Sequence, residues 1–268
     1  MINKMQIAII KKDILSITAN KRMLTVLITV PLVMIVVLPI MFILIVMLSP
    51  VDSPDMMQLI QMMGSSYPES FNLSDNIQYM LINIILNNVI PIFFILIPVM
   101  ASSVMASGSF VGEKEKSTLE TLLYCPLPLK KIFNAKILAS FLLSMSVSVI
   151  SFIVMIIVTE ILFFALTESL ITLNINWLII LLLVSPASAI ISINLIVRNS
   201  AKAQSSEEAQ QSSLFLVLPV ILLVVGQFTG IMMISVKLFL LIAAVLAIIA
   251  VLTFKSSFGK FNYEALLH

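Results

Sequence analysis

The chain has 268 residues, of which 60% are hydrophobic and only 10% are charged, and its mean hydropathy is +1.17. These values exceed what the core of a soluble domain requires, so they exclude a soluble protein and predict a polytopic membrane protein. The small formal net charge of +2 gives no indication of binding to nucleic acid.

Six continuous apolar runs are each long enough to cross a bilayer as a helix, which takes about 20 residues. In chain order they cover residues 23–48, 77–106, 137–158, 177–197, 214–234 and 238–254. Because these runs do not alternate with polar residues, they are typical of helices and not of membrane-spanning strands. The sequence therefore predicts an all-α membrane protein with a single transmembrane domain, residues 1–268, that contains six transmembrane helices.

Basic residues set the predicted orientation, because lysine and arginine are retained on the cytoplasmic side of a membrane protein during insertion. If the N-terminus is cytoplasmic, every one of the 15 lysines and arginines except Lys237 falls in a cytoplasmic segment. The opposite orientation would place nearly all of them outside. We therefore predict that the N-terminus and the C-terminus are both cytoplasmic.

Residues 1–22 precede the first span and are predicted to form an interfacial helix. Ile7, Ile10, Ile14 and Ile17 recur at helical spacing and form one apolar stripe, with the lysines largely elsewhere around the helix. Such a helix lies in the plane of the membrane surface. Two roles stay open for it, namely anchoring to anionic head groups and docking of a partner.

The second span contains Pro91 and Pro98, which predict a kink, a tilt or an extension of this helix beyond the membrane. Asn83 and Asn87 are one helical turn apart on it, and Gln227 lies near the end of the fifth span. Amides at membrane depth must find hydrogen-bond partners. They are candidates for the pathway of a polar or amphipathic substrate, and interhelical hydrogen bonds are the structural alternative.

Residues 108–136, which we call the charged segment, separate the second and third spans and are expected to lie in water. Ser117 and Glu120 have the S/T-x-x-E spacing of a capping box, which predicts a short helix that begins at Thr118. This helix has an apolar stripe at i, i+3 and i+4 and is terminated by proline. The stripe is Leu119, Leu122 and Leu123, and the prolines are Pro126 and Pro128.

Residue types that most catalytic and metal sites require are scarce in this chain. It has one histidine, His268, and one cysteine, Cys125, so it contains no HExxH zinc motif, no Ser/His/Asp triad and no internal disulfide. Gly108 and Gly112 precede Lys114, but their spacing does not fit a phosphate-binding loop. We therefore predict no catalytic residue, no metal ligand and no cofactor in this chain.

The charged segment resembles the signature of bacterial type-2 ABC exporter permeases, in which GEKE is followed by TLE-x-LL-x-x-P. The matching positions are Gly112, Glu113, Lys114, Glu115, Thr118, Leu119, Glu120, Leu122, Leu123 and Pro126. Six spans, an N-terminal interfacial helix and two cytoplasmic connections agree with the layout of that family. Within it, the chain is most similar to permeases grouped with sodium and antimicrobial-peptide exporters.

The resemblance implies that residues 117–124 are a coupling helix seated in a cleft of a separate ABC ATPase subunit, which binds ATP and Mg²⁺. It assigns ATPase coupling to Glu113, Glu115, Ser117, Thr118, Leu119, Glu120, Leu122 and Leu123. It also implies two ATPase copies and two permeases, identical or related, in the cell membrane of a bacterium. The expected function is ATP-driven export of an antimicrobial peptide, a drug or another amphipathic molecule.

Three alternatives stay open. A sodium-export permease would share the architecture. A membrane immunity or anchor protein would bind a toxic peptide without transporting it. An intramembrane enzyme is the third, and the absence of histidine from the spans argues against it.

Overall fold

The computed structural model describes residues 4–50, 54, 57–58, 60–61, 77–116, 118, 127–167, 174–200, 202–211, 213–228 and 236–259. These residues form helices and their connections, and they contain no strand. The helices are α1 (Lys4–Ala19), α2 (Lys21–Leu48), α3 (Ile77–Glu115), α4 (Leu129–Thr167), α5 (Asn176–Asn199), α6 (Ser206–Gln211), α7 (Leu214–Phe228) and α8 (Val236–Gly259). The predicted all-α class is confirmed.

Five stretches of the described chain are long and apolar enough to cross a membrane, by length and composition. They are α2, α3, Leu129–Ala165 of α4, α5, and Ser206–Gly226, which runs from α6 into α7. The sixth predicted span, residues 238–254, falls in α8, whose apolar part Phe239–Lys255 is shorter than these five. The chain is therefore a multi-pass membrane protein, and a total of six spans stays a prediction.

Proline shapes three of the spanning helices. In α2, α3 and α5 the helix widens into a π-helical turn that ends two residues before a proline. Because proline has no N–H and its ring presses on the carbonyl four residues earlier, a wider turn relieves the clash. The turns are Val33–Val37, Ile85–Val89 and Ile180–Val184, and the prolines are Pro39, Pro91 and Pro186. The second span is thus distorted at Pro91 as expected, and Ile95 also leaves the helix shortly before Pro98.

Most of the other helices pack against α3, whereas α8 packs mainly against α5. In its most apolar stretch 89% of the residues are buried within the protein, against 28% in α2 and 22% in α4. Its buried residues include Ser102 and Ser107, whose small side chains allow neighbouring helices to approach closely. Phe94 of α3 packs edge-on against Phe152 of α4 and Trp177 of α5, with ring centroids 6.0 and 5.8 Å away. Displacing α3 therefore affects most of the bundle.

The sequence predicts α1 as an interfacial helix with an apolar stripe, and the face of α1 that packs against the protein overlaps this stripe only in part. Ile9, Asp13 and Ile17 are buried, and Ile9 belongs to an apolar cluster with Ile132 near the start of α4. Ile7, a member of the predicted stripe, is 56% exposed. A charged residue thus lies in the middle of the packed face. Contact of α1 with the membrane surface stays a prediction.

The helices of the second and third spans extend beyond the predicted spans, and an extension of the second was among the expectations from its prolines. α3 continues past residue 106 to Glu115, and α4 begins at Leu129 instead of residue 137. At its other end α4 continues past residue 158 to Thr167. Hydropathy ends a span where charged residues begin, whereas a helix continues through charged residues when other helices provide their partners.

Candidate functional site

The end of α3 lies within the charged segment, and it is buried as far as Glu113. α3 ends at Glu115, next to Lys116. Thr118 caps this end, because the Thr118 N–H and the Thr118 hydroxyl both donate to the Glu113 carbonyl, at 2.9 and 3.2 Å. The Glu113 residue is only 6% exposed. The expectation that the whole charged segment lies in water is therefore wrong for this residue, whose carboxylate must find partners inside the protein.

Glu113 belongs to a group of two acids and two bases, Lys12, Asp13, Glu113 and Lys136, which we call the charge cluster. The Lys136 ammonium lies 2.8 Å from Glu113 Oε2 and 3.4 Å from Asp13 Oδ2, and Lys12 forms an ion pair with Glu113. Asp13 and Lys136 are each only 2% exposed. Charges withdrawn from water require opposite charges close by, and here two positive and two negative groups balance.

Ser109 and Phe110 on α3 complete the surroundings of the buried lysine. The Ser109 hydroxyl donates to Asp13 Oδ2 at 2.6 Å, and the Ser109 carbonyl accepts from Lys136 at 2.7 Å. The Lys136 ammonium also lies 5.6 Å from the centroid of the Phe110 ring, whose face attracts a cation. One turn of α3, from Ser109 to Glu113, thus supplies most of the partners of Lys136.

Lys12 is the most exposed member of the charge cluster. Partial burial lowers the pKa of Lys12, but the hydrogen bond and the charge of Glu113, with a further contribution from Asp13, outweigh burial and raise it above 10.5. A base with a raised pKa stabilises the fold below its ordinary pKa, and this contribution is lost only as the pH rises through the raised value. The pairing of Lys12 is therefore constant across the neutral range.

A second set of contacts, which we call the hydroxyl seam, joins the same part of α3 to α6 and to the start of α7. The Ser206 hydroxyl donates to Glu115 at 2.7 Å. Two further hydrogen bonds of 3.0 Å run from Gln210 to Ser107 and from Ser213 to Ser103. Apart from Glu115, the groups of the seam are uncharged.

The charge cluster and the hydroxyl seam fasten one end of α3 to α1, α4 and α6, and we call this the charged end of the bundle. In the sequence, residues 117–126 connect α3 to α4. Glu113 precedes this stretch and Lys136 follows it, so the ion pair between Glu113 and Lys136 also joins α3 to α4. A displacement of the stretch would therefore act on both helices. In the part of the chain that the structure describes, no three His, Cys, Asp or Glu side chains come together to hold a metal ion.

Only some of the predicted coupling residues are described. Glu113 and Glu115 lie in the site, and Thr118 lies at its edge. The others, which form the capping box and the apolar stripe, lie outside the described residues and stay predictions: Ser117, Leu119, Glu120, Leu122 and Leu123. Sequence reasoning missed the roles of Lys12, Asp13, Lys136 and Ser206. The one local signal was Asp13 at helical spacing between Ile9 and Ile17, since an acid in an apolar stripe needs a partner.

Asn87, one of the three amides predicted at membrane depth, is engaged within the protein. Asn87 is 6% exposed, its amide nitrogen donates to the Asn83 side chain, and its oxygen accepts from the Asn174 backbone N–H at 2.9 Å. Asn174 lies just before α5, so this hydrogen bond joins α3 to the beginning of that helix, as in the structural alternative. Asn83 is exposed, and the Gln227 side chain lies outside the described residues. A substrate pathway along these residues stays a prediction.

The chain was compared with known protein families. The family model described as "ABC-2 family transporter protein" matches residues 7–241 of the chain. The match covers most of the chain, from α1 to the first residues of α8, and includes the charge cluster and the hydroxyl seam. Comparisons with curated proteins and with solved structures gave no match.

Proposed function

Since the chain belongs to the ABC-2 family of transporter proteins, we propose that it is the permease of an ATP-driven exporter. Family membership makes the chain a membrane permease that works with an ABC ATPase. Export as the direction of transport, and an amphipathic substrate such as an antimicrobial peptide or a drug, are our proposal. They rest on the resemblance of the charged segment to that of exporter permeases.

The ion pair between Glu113 and Lys136 is the observation that supports this proposal best. Its atoms are 2.8 Å apart, and it joins the last turn of α3 to the early part of α4. Residues 117–126, the proposed contact with the ATPase, run from one of these helices to the other. A force on this stretch therefore acts on α3 and α4 together. Because α3 is the most buried spanning helix, its displacement would be passed on to its neighbours.

We also propose that the charged end of the bundle faces the cytoplasm of a bacterial cell, with both termini on that side. The charge cluster brings α1, the end of α3 and the start of α4 to this end, and an ion pair of 2.8 Å between Arg22 and Glu207 joins the start of α2 to α6. Basic residues of α1, α2 and α4 thus share one end, which agrees with the positive-inside rule. The proposed transporter contains two permeases, identical or related, and two ATPase subunits that bind ATP and Mg²⁺.

Coupling is tested by changing the predicted apolar stripe in the permease reconstituted with its ATPase. Leu122→Glu places a charge on the stripe, and we expect it to abolish stimulation of ATP hydrolysis by a panel of amphipathic peptides and drugs. The variant should still insert in the membrane. Met5→Glu is the matched control, because Met5 on α1 is 46% exposed and should tolerate the same change. Undiminished stimulation in the Leu122→Glu transporter would contradict the proposed coupling.

The same reconstituted system separates the alternatives. A sodium-export permease would respond to Na⁺ and not to the amphipathic panel. An immunity protein would protect cells from a toxic peptide when no ATPase subunit is present. Modification of a peptide by the purified chain alone would favour an intramembrane enzyme.

A further inference from the structure

An open pocket of about 580 Å³ lies between the end of α5 and the start of α7. One side of its lining is polar and includes Lys202 and Glu208, and the other side is apolar. The apolar side consists of Leu214, Phe215 and Leu218 at the beginning of α7. The volume is within the range of about 300–1,000 Å³ that is typical of small-molecule sites.

Lys202 and Glu208 carry opposite charges and line the same pocket, yet no ion pair joins them among the described residues. The Lys202 side chain is exposed and makes no ion pair with any described residue. One oxygen of Glu208 accepts a hydrogen bond from the Gln204 N–H at 2.8 Å, which holds the carboxylate in place. The pocket thus presents a separate cation and a separate anion to a ligand.

The apolar side of the pocket is exposed. Leu214, Phe215 and Leu218 are 51%, 72% and 57% exposed. Leu218 is a neighbour of both other residues on the helix surface, because it follows Phe215 by three residues and Leu214 by four. In a membrane-spanning helix, exposed apolar side chains contact the acyl chains of lipids. We call these three exposed side chains of α7 the ridge. The polar helix α6 precedes the ridge in the chain, so the pocket lies where the bundle passes from polar to apolar surroundings.

We propose that this pocket binds a phospholipid with a zwitterionic head group that contains a primary amine, namely phosphatidylethanolamine. Its phosphate pairs with Lys202, its ammonium donates to Glu208, and its acyl chains lie along Leu214, Phe215 and Leu218. An anionic lipid such as phosphatidylglycerol brings no cation to Glu208. A choline head group has a cation but no N–H to donate to the carboxylate. The charge pair therefore selects the amine-bearing lipid.

If the charged end of the bundle faces the cytoplasm, as in the proposed function, the bound lipid belongs to the cytoplasmic leaflet. The binding of the lipid itself does not depend on that orientation. The binding measurement needs no ATPase and no transport substrate. A loss of lipid selectivity therefore leaves the proposed function untouched, and a failure of ATPase coupling leaves the lipid site untouched.

Native mass spectrometry of the full chain in detergent, titrated with phosphatidylethanolamine, phosphatidylglycerol or phosphatidylcholine, tests the site. We expect phosphatidylethanolamine to bind most tightly. Lys202→Gln and Glu208→Gln should each weaken its binding about ten-fold, because each removes a charge-assisted hydrogen bond. Lys21→Gln is the matched control, since Lys21 is an exposed lysine at the same end of the bundle and outside the pocket. It should bind as the unmodified chain does.

Charge-conserving variants separate binding from folding. Lys202→Arg and Glu208→Asp should retain the preference for phosphatidylethanolamine, so a loss in these variants as well would overturn the assignment of the two charges. Binding of phosphatidylcholine as tight as that of phosphatidylethanolamine would also overturn it. So would a Glu208→Gln variant that binds phosphatidylglycerol more tightly but phosphatidylethanolamine as tightly as the unmodified chain does. If a second copy of the chain covers the ridge instead, Phe215→Glu will dissociate a dimer and leave lipid binding unchanged, which contradicts the proposal.

Discussion

The charge cluster and the hydroxyl seam hold the same end of α3 by different means. The cluster joins α3 to α1 and α4 through four charged groups, whereas the seam joins α3 to α6 and α7 mainly through hydroxyl and amide groups. Removing one partner of a buried ion pair leaves an uncompensated charge and costs about 3–5 kcal/mol. A hydrogen bond between neutral groups contributes only about 0.5–1.5 kcal/mol. The cluster is therefore the firmer attachment of α3.

This difference indicates which parts of the permease move together. The firm side contains α3 and α4, and residues 117–126 run between these two helices. The weaker side is the hydroxyl seam, which involves α6 in the connection between α5 and α7. If residues 117–126 contact the ATPase as proposed, we expect a movement imposed there to carry α3 and α4 as one unit and to change partners along the hydroxyl seam.

The largest effect is expected when the lysine at the centre of the charge cluster is removed. Lys136→Met leaves Asp13 and Glu113 with Lys12 alone, and we expect the free energy of unfolding to decrease by about 3–5 kcal/mol. The measurement is the thermal stability of the purified chain in detergent. Lys131→Met on the same helix is the control, because the Lys131 side chain is exposed, and it should change the stability by less than about 0.5 kcal/mol. Equal effects of the two variants would mean that the cluster is not the firm attachment.

A smaller loss is expected from Asp13→Asn. The amide keeps the shape of the side chain and a hydrogen bond with Ser109, so the loss should be about 1–3 kcal/mol. Because Asp13 and Lys136 are 3.4 Å apart, the double variant Asp13→Asn/Lys136→Met should lose less stability than the sum of the two single variants. Strict additivity would show that the two residues act independently.

Features that depend on the order of residues within one helix could be predicted from the sequence. The runs 77–106 and 177–197 lie within α3 and α5, because an apolar run of that length has no other stable arrangement in a membrane. The resemblance singled out Glu113 and Glu115 for ATPase coupling, which stays a prediction, but not their contacts with α1, α4 and α6. The distortion of the second span followed from the chemistry of Pro91.

Features that depend on contacts between distant segments could not be predicted. Asp13 and Lys136 are 123 positions apart, and their pairing requires α1 to pack on α4. The apolar stripe on α1 gave only part of the packed face, which includes Ile17 but also the charged Asp13. Hydrophobic periodicity assumes that a buried face has no charge, whereas the charge of Lys136 compensates the burial of Asp13 here. For the same reason the ends of α3 and α4 extend beyond the predicted spans.

On the weaker side, Ser206→Ala removes the hydrogen bond to Glu115. We expect a loss of about 0.5–1.5 kcal/mol, accompanied by faster hydrogen exchange of α6 and little change in α4. Ser146→Ala is the control, because Ser146 is exposed and its hydroxyl donates only to the Leu142 carbonyl of its own helix, at 2.8 Å. Faster exchange in α4 after Ser206→Ala would contradict the division into a firm and a weaker side.

The smallest effect is expected at the rim of the charged end, where Arg22 and Glu207 are 2.8 Å apart but have side chains 79% and 61% exposed. Water screens such a pair, so Arg22→Gln should lower the stability by about 0.5 kcal/mol or less. At about 1 M salt, where the Debye length is about 3 Å, this loss should disappear. The loss caused by Lys136→Met should persist in the same salt, because salt hardly screens a buried ion pair. If salt abolished both losses, the charge cluster would be held no more firmly than a surface pair.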